Sequence, residues 1–95
     1  MSRDSVTAER LRALLERELP SAQVQVRDDS AQHAGHAGAR EGRHFSVQVT
    51  SPAFDGLSRV ARHRLVYDAA RPLIAEGIHA LAIEQACTPA EAQPR

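Results

Sequence analysis

The sequence predicts a single α+β domain, and three observations predict it. Apolar residues recur at helical spacing near the start and again in the second half. Two alternating apolar–polar runs, Ala22 to Asp28 and His44 to Thr50, read as strands on either side of a long polar segment. A third alternating run, His79 to Ala86, follows the second helix. Ninety-five residues suit one domain spanning 1–95, with its core at about 6–89 and a short tail at 90–95.

The elements follow in order. Between Thr7 and Leu19, Leu11, Leu14, Leu15 and Leu19 fall on one helical stripe; Ser5 or Thr7 can cap it, Glu9 suits the dipole of its first turn, and Pro20 ends it. Val24 and Val26 alternate with Gln23, Gln25 and Arg27 in the first strand, and Phe45, Val47 and Val49 alternate with Ser46 and Gln48 in the second. These two strands form an antiparallel hairpin, and Ser51-Pro52 breaks it. Phe54 to Leu57 reads as a short helical turn. A helix then runs from a Ser58 cap to about Ala75, with Val60, Leu65, Val66, Ala69, Leu73 and Ile74 as its stripe. Leu65 and Tyr67 read as core or near-core, and Pro72 is expected to end or kink the helix near Arg71. Gly77 turns the chain into the third strand, and Thr88 to Glu91 can cap a last short turn.

Composition excludes several function classes. Twelve basic residues, all Arg, balance twelve acidic ones, which argues against a general polyanion binder. Cys87 is alone, so the chain forms no internal disulfide, and it reads as an inert, half-buried thiol. No apolar run approaches transmembrane length, and the acidic residues of the Arg-rich start argue against a transit peptide, so a soluble, cytoplasmic chain is expected. No nucleophile–base pair and no carboxylate pair points to an enzyme.

The segment Asp28 to His44 (DDSAQHAGHAGAREGRH) holds three of the five histidines and lacks the apolar residues to build a core. A long loop between strands is a usual place for function. A strand–helix–strand link in one sheet is nearly always a right-handed crossover between parallel strands. That rule puts the loop, His44 at the start of the second strand and His79 at the start of the third at one edge of a mixed sheet. His63, in the body of the helix, lies elsewhere. Gly35 to Gly38 formally matches a KH-type GxxG, but here it joins two strands rather than two helices, so it is no nucleotide clamp.

Several stretches resemble the BolA family in order and spacing: Asp28 to Ala39, His44-Phe45, Ser51-Pro52-Ala53-Phe54-Asp55-Gly56-Leu57-Ser58, Arg62-His63-Arg64-Leu65-Val66-Tyr67, and Ile78-His79-Ala80-Leu81-Ala82-Ile83. The tail departs from the family, with Cys87 and Ala92 where members often carry aromatics. The resemblance implies an α-β-β-α-α-β fold similar to the type II KH domain, a mixed three-stranded sheet with helices on one face. It also implies a monothiol glutaredoxin partner and a 2Fe-2S cluster shared with that glutaredoxin and its glutathione. Carried over by motif, the ligands correspond to His79 and His33, with His36 as the second candidate for the loop position. His44 then stands beside them as a supporting residue. Arg62, His63 and Arg64 are candidates for partner binding. A second expectation from the family is DNA binding in transcription regulation and stress response, to which Arg59, Arg62 and Arg64 would contribute. Alone, the chain is expected to be a monomer or a weak homodimer.

Overall fold

A computed structural model of the chain describes residues 6–29 and 43–92. Helix α1 (Ala8–Glu18) starts where Thr7 accepts a hydrogen bond from the Arg10 amide, and buries Leu11, Leu14 and Leu15. Strands β1 (Gln23–Asp28) and β2 (Arg43–Thr50) pair antiparallel. Ser51 then caps a single 3-10 turn, Pro52–Phe54, which lies just before the turn expected at Phe54 to Leu57. Helix α2 (Arg59–Glu76) follows a Ser58 cap, Gly77 ends it with φ +156°, and β3 (Ile78–Cys87) pairs parallel to β2. A short helix, α3 (Pro89–Ala92), closes the described chain.

The sheet order is β1-β2-β3, so β2 is central and β3 is an open edge. Phe45, Val47 and Val49 of β2 meet Leu11 and Leu15 of α1 and Val66, Ala70 and Leu73 of α2 in one core. The mixed sheet and its parallel β2–β3 pair agree with the crossover rule.

Three expectations for α2 need correction. Pro72 neither ends the helix near Arg71 nor stops it short of Glu76. Pro72 is exposed, so the Asp68 carbonyl that loses its partner can be solvated, while buried Ala69, Ala70 and Leu73 hold the helix down on both sides. Val60 is not part of the buried stripe but 61% exposed, and Tyr67 is 41% exposed rather than core. Both lie on one flank with Arg64, at i, i+4 and i+7, turned away from the face that Val66, Ala69 and Leu73 bury. Replacing Pro72 by Ala restores an amide donor to Asp68 and is expected to stabilise the protein by about 1–3 kcal/mol in urea unfolding. An unchanged or lower midpoint would contradict this account of the helix.

Candidate functional site

The start of β3 is irregular in a way that matters. Arg43 pairs with Ile78 but His44 with Ala80, so His79 is the extra residue of a β-bulge. A bulge re-aims a side chain that regular alternation would send elsewhere. The result is that the His79 and His44 rings lie 5.1 Å apart between centroids, at a tilt of 34°. His79 is exposed, while Nε2 of His44 is shielded from solvent. Arg43 N donates to Gly77 O at 3.0 Å, which locks the end of α2 against the start of β2.

The described residues on either side of positions 30–42 meet at the same place. Asp29 N donates to His44 O at 2.7 Å, joining the end of β1 to β2 beside the imidazole pair. On the outer sheet face Arg27 bridges three strands: it reaches Asp29 Oδ1 at 2.7 Å, Ser46 Oγ at 3.1 Å and Glu84 Oε2 at 2.7 Å. Ser46 Oγ donates in turn to Asp29. The two carboxylates, Asp29 first, hold the Arg27 guanidinium well above its ordinary range, so it stays charged. His33 and His36 lie outside the described residues. Among the described residues no three His, Cys, Asp or Glu side chains group to hold a metal ion.

The other candidates sit away from this end. Arg62 turns inward, donating to Leu57 O at 2.9 Å and Ala86 O at 3.0 Å and pairing with Glu91 at 2.7 and 3.1 Å. His63 is half-buried and borders a groove between α2 and β3; Arg64 is exposed. Cys87, at the far end of β3, is more enclosed than expected, at 9% exposure, with Gln85 Nε2 at 3.0 Å from its sulfur.

The family description BolA-like protein matches residues 15–91. The chain belongs to the BolA family. SufE-like protein 1 of Arabidopsis thaliana is 47% identical over 88 residues, which is 86% of this chain but 24% of that protein. BolA-like protein 1 of Mus musculus is 44% identical over 81 residues, 85% of this chain and 57% of the relative. The solved structure of BolA1 from Arabidopsis thaliana superposes with a TM-score of 0.74 at 42% identity, covering 92% of this chain and 96% of that one. The match spans 24% of the length of SufE-like protein 1 and 50% of the length of the chloroplastic protein BOLA1 of Arabidopsis thaliana.

In this BolA-like domain polar contacts hold the last helical turn. Thr88, Pro89 and Glu91 form a capping box: Glu91 N donates to Thr88 Oγ1 at 3.2 Å and Thr88 N to Glu91 Oε1 at 2.8 Å. The signal, Thr-x-x-Glu, is visible in the sequence; the reach of Arg62 across 29 positions is not. Arg62 first, and then the Thr88 amide, lower the Glu91 carboxyl from its usual 4.5 to about 2. Its folded pKa is therefore below the unfolded one, so its contribution to stability is complete above pH 4.5 and is lost as the pH falls toward about 2. The Thr88 amide resonance should shift as the pH passes about 2, and Glu91→Gln should abolish the shift. A wild-type Thr88 resonance that titrates near the ordinary 4.5 instead would contradict the pairing.

No helix among the described residues is long and apolar enough to cross a membrane.

Proposed function

We propose that this BolA-like protein is a non-enzymatic partner of a monothiol glutaredoxin and shares a 2Fe-2S cluster with it. His79 would be one ligand and a loop histidine, His33 before His36, the other; the glutaredoxin cysteine and glutathione would complete the partner's side. The observation that carries this reading is the bulge that sets His79 beside His44, where Asp29 is bonded to β2. The donor set fits the group, because imidazole nitrogens ligate one iron in Rieske-type 2Fe-2S centres. When bound, the cluster would supply an iron–sulfur unit whose potential is raised by neutral ligands.

The chain's own residues have definable tasks. His79 presents an exposed nitrogen donor, and His44, packed against it, limits the orientations its ring can take. Arg27, Asp29 and Ser46 hold the exit of the loop against the sheet. A cytoplasmic setting suits the lone reduced thiol of Cys87. Mixing the protein with a cluster-loaded glutaredoxin should change the visible circular dichroism spectrum; an unchanged spectrum would refute the shared cluster.

The second reading, DNA binding, is favoured by exposed Arg59 and Arg64 on α2. Arg62 contributes less to it, since its donors already serve Glu91 and two carbonyls. A gel shift with a steep salt slope would support that reading, and no shift at low salt would remove it.

A further inference from the structure

β3 is an edge strand, and its open side is only partly guarded. In a parallel pair, alternate residues of the edge strand turn both N–H and C=O away from the neighbouring strand. Two carbonyls of that open side are captured by α2: Tyr67 Oη donates to Leu81 O at 2.9 Å, and Arg62 Nη1 to Ala86 O at 3.0 Å. Ile83 lies between them and shares the side of Leu81 by alternation. Among the described residues no α2 side chain donates to its carbonyl. A groove of about 510 Å³ opens at this point, between Ile83 to Ala86 and the first turns of α2.

Besides Arg62, which Glu91 pairs, the groove is bordered by a guanidinium and an imidazole without a carboxylate of their own. Arg59 and His63 line it and Arg64 stands close by on the same helix; none of the three has an ion-pair partner among the described residues. Glu84 also borders it, but a second bulge, between the Val47–Ile83 and Gln48–Gln85 pairs, makes Glu84 the extra residue. Its carboxylate is held by Arg27 at 2.7 Å and Gln48 at 3.5 Å. The exposed large apolar residues of the described chain, Val60 and Tyr67, lie on α2 outside the lining of the groove, Val60 next to Arg59 and Tyr67 bonded to the Leu81 carbonyl of β3.

We propose that this groove docks an extended, acidic segment of a partner protein, which adds to the free edge of β3. Main-chain bonding at Ile83 would set the register, Arg59 and His63 would receive carboxylates, and Val60 and Tyr67 would receive an apolar side chain. A single-stranded nucleic acid would also satisfy the cations, but bases need flat aromatic faces to stack on. Tyr67 is the aromatic on this flank, and its hydroxyl is tied to Leu81. The surface lies four residues along β3 from His79, about 13 Å at the rise of a strand, so it does not depend on the histidine end binding a cluster.

The test titrates the ¹⁵N-labelled full chain with three probes: an acetylated hexapeptide of alternating Val and Asp, the matching Val–Lys peptide, and decathymidylate. The acidic peptide should move the amide resonances of Leu81, Ile83 and Ala86, and bind about tenfold tighter than the Val–Lys peptide. Arg59→Glu should weaken it about tenfold. Tyr67→Phe, which frees the Leu81 carbonyl without touching the core, should strengthen it about threefold. An unmoved Ile83 amide, equal binding of the two peptides, indifference to Arg59→Glu, or tighter binding of decathymidylate in the same groove would each overturn the proposal.

Discussion

Phe45→Ala is expected to lose about 3–5 kcal/mol of stability in urea unfolding followed by far-UV circular dichroism. Phe45 is 1% exposed and ranks among the largest fully buried side chains. It lies on the central strand, with β1 and β3 paired on either side, so the backbone has little room to collapse into the space left behind. A domain of this size has about 5–15 kcal/mol in total, so the loss would consume much of the margin. The effect extends to the site, because Phe45 follows His44 and anchors the end of β2 that faces His79. Val60→Ala, at a position 61% exposed, should change stability by no more than about 0.5 kcal/mol. Equal midpoints for the two variants would mean that the core is not centred on β2.

His79→Ala should do the opposite: leave the fold intact and remove the function. The side chain is exposed and sits on a bulge outside the regular ladder, so unfolding should change by no more than about 0.5 kcal/mol. With a cluster-loaded glutaredoxin, however, the variant should no longer give the altered visible circular dichroism spectrum of the wild type. His44→Ala should weaken cluster sharing by about 10–100-fold without abolishing it, as expected for a residue that orients a ligand. In the loop, His33→Ala should match His79→Ala and His36→Ala should not. If His79→Ala retains the wild-type spectrum, His79 is not a ligand.

Much of the fold was legible because its signals are local or topological. The leucine stripe and Thr7 define α1, and alternation defines the strands. One crossover rule placed His44 and His79 together although 35 positions separate them. What the sequence hid depends on tertiary context. Nothing local marks the bulges at His79 and Glu84, which come from the register between two strands. Pro72 is expected to end or kink a helix that packing on Val66, Ala69 and Leu73 carries through to Glu76. Val60 and Tyr67 carry apolar mass on the solvent flank, and hydrophobicity alone cannot tell that flank from the core. Arg62 reads in the sequence as a candidate for partner binding, while folding brings Glu91 and two carbonyls to it.

The central claim is that this chain supplies imidazole nitrogen to a cluster held jointly with a glutaredoxin. Pulsed electron paramagnetic resonance of the reduced complex, with only this chain's histidines labelled with ¹⁵N, tests it most directly. The account predicts strong ¹⁵N hyperfine couplings at the cluster for the wild type, and their loss in His79→Ala. A cluster spectrum with no ¹⁵N coupling from this chain would contradict it.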